Sequence, residues 1–194
     1  MELLPYTLKW FEILLRWSHV MFAILWVGNS FLFNYLDNRL EKNTISKEVD
    51  ADGILQHSGW FYRVERLNIA PEKFSKNLII FKWQSYLTFI TGMLLLIIIY
   101  YSNSKILMID KRVNENITPL IGIAISIFSI IGSWLIYDLI CKSKLINSKI
   151  IFPIILLIIG AVISFGLTKI FGPKFAFLSV GVILGCIMFF NVFF

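Results

Sequence analysis

Two histidines, His19 and His57, are the only imidazoles in the chain, and each stands in a pattern that could carry chemistry. The first belongs to Leu15-Arg16-Trp17-Ser18-His19, inside a long apolar segment. Arg16, His19, Ala23, Trp26, Ser30 and Asn34 recur at steps of three and four, so a helix puts them on one face. The other positions are mainly Leu, Phe, Ile, Val and Met. A central Arg in a membrane helix costs about 2.5–3.5 kcal/mol on insertion scales. Such a face is expected to turn into a helix bundle or a wet cavity, as a cofactor or substrate pocket with His19 as ligand or proton carrier. The plainer alternative has Arg16 reaching the interface on its long stem and His19 bonding a neighbouring helix.

His57 lies in Gln56-His57-Ser58-Gly59-Trp60-Phe61-Tyr62, with Arg63, Glu65, Arg66 and Lys82 further on. Arg pairing together with aromatic stacking suits an anionic planar molecule. Against this, a lone loop histidine is ordinarily a surface residue. Asp138 follows Trp134 by one turn near a helix end, where an acid is either functional or paired with Lys142. Gly122, Ser126, Ser129, Ser133 and Tyr137 share a face. So do Gly160, Ser164 and Thr168, and Gly181 and Gly185 make a GxxxG pair. These small residues read as helix-packing positions.

The elements that must position these residues follow from hydropathy. Of the 194 residues 58% are hydrophobic and the mean hydropathy is +0.78, more apolar surface than a water-soluble interior of this size can hide. Spanning a hydrocarbon core of about 30 Å takes roughly 20 mostly apolar residues. Five segments qualify: 11–36, 85–101, 119–140, 150–171 and 175–194. Lipid satisfies no free backbone groups, so they are read as helices, and the runs lack the alternation of a membrane β-barrel. The expected fold is therefore an all-α, polytopic bundle, one membrane domain over 1–194, with a long connection over 37–84. Within it Gln56–Leu67 reads as a short helix or structured turn, with Trp60, Phe61 and Tyr62 anchoring it at the head groups.

Charge and cysteine usage narrow the class. The formal charge of +6 is concentrated between apolar runs, which suits anionic lipid rather than nucleic acid. If five helices alternate, the side holding 37–84 carries eleven Lys and Arg and the other side seven, which places the long connection in the cytoplasm and the N-terminus outside. Cys141 and Cys186 form no CxxC, CxxCH or zinc spacing, so neither a disulfide framework nor covalent haem attachment is expected. The N-terminal segment is too long for a cleavable signal, carries Arg16 and His19, and has no cleavage site after it. The sequence stops within apolar residues at Asn191-Val192-Phe193-Phe194, which reads as a C-terminus at the membrane interface or, the favoured reading, as a fragment of a longer protein.

Leu15-Arg16-Trp17-Ser18-His19 with Trp26-Val27-Gly28-Asn29-Ser30 resembles the start of the membrane domain of the bacterial cytochrome c-linked urate oxidases, or urate hydroxylases. The resemblance continues through His57-Ser58-Gly59-Trp60-Phe61-Tyr62, Ala70-Pro71-Glu72, Phe81-Lys82-Trp83-Gln84-Ser85-Tyr86, Trp134-Leu135-Ile136-Tyr137-Asp138-Leu139-Ile140-Cys141 and Asn191-Val192-Phe193-Phe194, in the family's order. It implies part of an eight-helix domain of a bacterial cytoplasmic-membrane protein, with the N-terminus outside, that oxidises urate or a related purine and passes electrons to a cytochrome c. It also implies roles. Arg16, His19, His57 and Asp138 would be catalytic, with His19 a redox-centre ligand or proton relay. Arg63, Lys82 and Trp60 would bind the substrate anion. The sequence departs from the family pattern at Gln84, where an acid is usual, and at Ser179 and near Ile79, where histidines are usual. The alternative is a non-catalytic electron-transfer or assembly subunit, haem-binding or not.

Overall fold

In a computed structural model, residues 3–45, 47–73, 76 and 81–193 are described; Ile79 and Phe194, named above, lie outside them. Helix α1 runs over Leu3–Arg39. Strands β1 (Glu41–Lys42), β2 (Val49–His57) and β3 (Trp60–Leu67) follow. Helix α2 (Lys82–Leu95) continues as a π-helical turn over Leu96–Tyr101. A short α3 (Ser104–Leu107), α4 (Pro119–Lys142), a 3₁₀ turn at Lys144–Asn147, α5 (Ile151–Thr168) and α6 (Pro173–Phe193) complete the order. Five of these helices are long and apolar enough to cross a membrane, over Tyr6–Arg39, Lys82–Tyr101, Pro119–Lys142, Ile151–Thr168 and Pro173–Val192.

The chain divides into two compact units. The helical unit takes the chain up to Phe22 and again from Ser85 onward. In it α6 packs on both α4 and α5. Its core gathers Leu96, Met108, Ile130, Leu167, Phe171, Phe175, Ala176, Ile183 and Cys186. Rings lock the contacts: Phe89 stacks on Phe189 at 4.0 Å, and Phe171 meets Phe175 edge-on at 4.9 Å, the latter a favoured geometry for aromatic pairs. Thr118 caps α4 just before Pro119, its Oγ1 accepting from the Ile121 amide at 3.4 Å, as first-turn chemistry predicts. The Gly172 amide donates to the Met108 carbonyl at 3.0 Å, tying the entry of α6 to the residue after α3.

The small-residue faces behave unequally. Gly122, Ser126 and Ser133 of α4 are buried, as close packing requires. Gly181 and Gly185 have open space where a side chain would stand, with no described atom within 4 Å. The expected GxxxG contact is therefore absent among the described residues.

The second unit, Ala23–Gln84, corrects the all-α expectation, for it contains a three-stranded antiparallel sheet of order β1-β2-β3. The segment Gln56–Leu67, expected as a helix or turn, is the β2–β3 hairpin, with His57 opposite Trp60. Its cause is local. Ser58 and Gly59 both have positive φ, 51° and 82°, the backbone of a two-residue turn whose twist matches that of paired strands. Trp60, Phe61, Tyr62 and Val64 suit strands. An ion-pair network braces the sheet: Arg66 Nε donates to Asp50 at 2.9 Å and Nη1 to Asp37 at 3.0 Å. The two carboxylates raise the Arg66 pKa above its ordinary value, Asp50 most.

Candidate functional site

The seven residues singled out from the sequence are divided between the units. Arg16, His19 and Asp138 belong to the helical unit, and His57, Trp60, Arg63 and Lys82 to the sheet unit.

In the helical unit His19 has the most developed surroundings. Its half-buried ring lies against α2, with Nδ1 3.1 Å from the Thr88 carbonyl and 3.0 Å from Thr91 Oγ1. Ser85, Thr88 and Thr91, at steps of three on α2, are all buried, so a polar strip runs along an otherwise apolar helix. The ring also approaches the backbone closely: a Cβ placed on Gly92 would come within 2.9 Å of His19 Cε1. Sequence reasoning found His19 but not Thr88, Thr91 or Gly92; the signal was the three-residue spacing of Ser85, Thr88 and Thr91.

Arg16 is exposed and paired within its own helix, donating to Glu12 Oε1 from Nη2 at 2.7 Å and from Nε at 3.0 Å. An adjacent carboxylate offsets much of the burden of a charge in an apolar segment. Asp138 accepts from Lys142 Nζ at 2.6 Å one turn on. Ser179 is buried, and its hydroxyl donates to the Phe175 carbonyl at 2.8 Å.

In the sheet unit His57 closes β2 and Trp60 opens β3, exposed and opposite each other across the turn. Arg63 faces Ile54 and pairs with Asp52 at 3.2 Å and Glu65 at 2.9 Å. Its guanidinium is thus engaged by two carboxylates. Lys82 is the first residue of α2. Two residues on, Gln84 Oε1 accepts from Asn29 Nδ2 at 2.7 Å, a neutral amide pair.

No group of three or more His, Cys, Asp or Glu side chains placed to hold a metal occurs among the described residues. His19 is the residue that would hold a haem. A ligating imidazole usually donates its other nitrogen to a backbone or side-chain acceptor, and Nδ1 has the Thr88 carbonyl and Thr91 hydroxyl for that purpose.

These features define a mainly helical protein, with five helices long and apolar enough to cross a membrane and a small antiparallel sheet between the first two in sequence. Residues 5–194 match the family model described as urate oxidase N-terminal, and the chain belongs to that family. Searches of the curated proteins and of the solved structures find no match.

Proposed function

We propose that the chain is a membrane-embedded oxidoreductase domain of the urate oxidase type, acting on urate or a related purine. The observation that carries this reading is the family match across residues 5–194. The five apolar helices support residence in a bilayer, the Lys and Arg asymmetry supports the N-terminus outside, and the family resemblance supports a bacterial cytoplasmic membrane. Urate plus water gives 5-hydroxyisourate, two protons and two electrons. The electrons would leave to a cytochrome c, and a redox group such as haem, held at His19, would carry them when bound. His19 would hold the redox centre, with Arg16, His57 and Asp138 as the other catalytic residues. Trp60, Arg63 and Lys82 would bind the purine anion by ring stacking and charge.

The test is urate-dependent reduction of added cytochrome c by membranes carrying the chain. The expected result is reduction that needs both urate and His19. Reduction no faster than in membranes lacking the chain would overturn the reading.

A second reading, a non-catalytic electron-transfer or assembly subunit, is favoured by the neutral Asn29–Gln84 pair and by buried Ser179, each at a position usually ionisable in the family. It predicts haem absorbance on purification that urate leaves unchanged.

A further inference from the structure

The hydrogen bonds around His19 identify Nδ1 as a donor. The Thr88 carbonyl can only accept, so Nδ1, 3.1 Å away, must be the donor. Thr91 leads to the same answer. Its hydroxyl has one hydrogen, directed to carbonyls of its own helix, with Leu87 O at 2.6 Å and Thr88 O at 3.1 Å. Thr91 Oγ1 therefore receives from His19 Nδ1 at 3.0 Å rather than donating to it. The ring is also held from the side. A Cβ at Gly92 would sit 2.9 Å from Cε1 and 3.4 Å from Nδ1, too close for the ring to stay where it is.

We propose that Thr91 and Gly92 are positioning residues for His19, fixing the ring as its Nδ1–H tautomer and leaving the Nε2 lone pair as the donor atom for a haem iron. This rests on the proposed function for its ligand, but the tautomer itself does not. Three observations converge: a buried carbonyl acceptor, a hydroxyl whose proton is committed elsewhere, and a glycine where any side chain would displace the ring. Thr91 stands at the middle of the Lys82–Tyr101 segment and His19 well inside Tyr6–Arg39. In an apolar medium few other acceptors compete for the Nδ1 proton. Ring nitrogens with a fixed proton on one side and a lone pair on the other are what metal ligation requires.

The experiment uses the full chain, labelled with ¹⁵N-histidine in detergent micelles. With two histidines in the chain, His57→Gln assigns both signals. The expected spectrum has His19 protonated at Nδ1 and bare at Nε2. A hemin titration of the same sample is expected to give a bound form that His19→Ala abolishes. Thr91→Val and Gly92→Ala are expected to weaken hemin about 10–100-fold, the usual effect of removing an outer-shell partner, and to let the tautomers mix, while Thr91→Ser restores both signals. A His19 signal protonated at Nε2 in the unaltered chain overturns the proposal, as does hemin affinity indifferent to Thr91→Val and Gly92→Ala. If those variants fail to fold, the tautomer of the unaltered chain decides. A protein with the expected tautomer that ignores urate would sink the urate reading and leave the His19 assignment standing.

Discussion

Replacing Phe128 by Asp probes the medium around the helices. Phe128 is near the middle of α4 and 76% exposed, so the change removes little packing within the chain. If that face meets water, an exposed substitution of this kind shifts stability by no more than about 0.5 kcal/mol. If it meets hydrocarbon, a favourable Phe of about −0.3 to −0.6 kcal/mol gives way to an Asp of about +2.5 to +3.5 kcal/mol at a helix centre, a swing of about 3–4 kcal/mol. The matched control is Ile106→Asp, 82% exposed in the four-residue α3 and outside the five spans. The assay is membrane insertion of α4 scored by glycosylation of reporter sites on either side, alongside unfolding in mixed micelles. Phe128→Asp is expected to lose insertion by two orders of magnitude or more, with Ile106→Asp near the unaltered chain. Equal behaviour of the two variants would refute the assignment of the exposed faces to lipid.

Three further outcomes follow from the packing and charges. Phe175 is fully buried between Phe171 and Tyr100, at 4.9 and 5.5 Å, while Phe177 is 86% exposed; at about 0.5–1.5 kcal/mol for each ring pair, Phe175→Ala should cost about 1–3 kcal/mol in micelle unfolding and Phe177→Ala close to nothing. The Tyr101 hydroxyl lies 3.1 Å from buried Ser126 Oγ; a double-mutant cycle of Tyr101→Phe with Ser126→Ala should give a coupling of about 0.6 kcal/mol, the average for side-chain bonds between membrane helices. The Arg112 guanidinium, with its backbone amide, holds the Asp110 carboxyl below its ordinary value. A depressed folded-state pKa contributes stability that is present above the ordinary value of 3.8 and is lost as pH falls through the folded one. Melting temperature should therefore drop below that pH, and Asp110→Asn should flatten this part of the profile.

The spans were legible because apolar runs long enough to cross a bilayer have few other uses in a chain this short. Their ends were less so: α1 begins at Leu3 rather than near Phe11, because Tyr6, Leu8 and Trp10 continue the helix. The sheet was hidden for a physical reason. Nearly every residue of β3 is exposed, and β2 buries only Ala51, so no alternation of polar and apolar residues announces the strands. The turn is Ser58-Gly59 rather than the Asn-Gly that signals a hairpin. At the site, the Asp138–Lys142 pair was readable because its partners are four residues apart. The acceptors of His19 were not, since Thr88 and Thr91 are some seventy residues away in sequence, and only packing of α1 on α2 brings them to the ring.

The most direct measurement is an absorption spectrum and a melting curve of the detergent-purified chain, with and without urate. The spectrum or the melting temperature is predicted to shift with urate, and His19→Ala is predicted to abolish any redox absorbance. A colourless protein whose melting is indifferent to urate would contradict a urate oxidase-type domain.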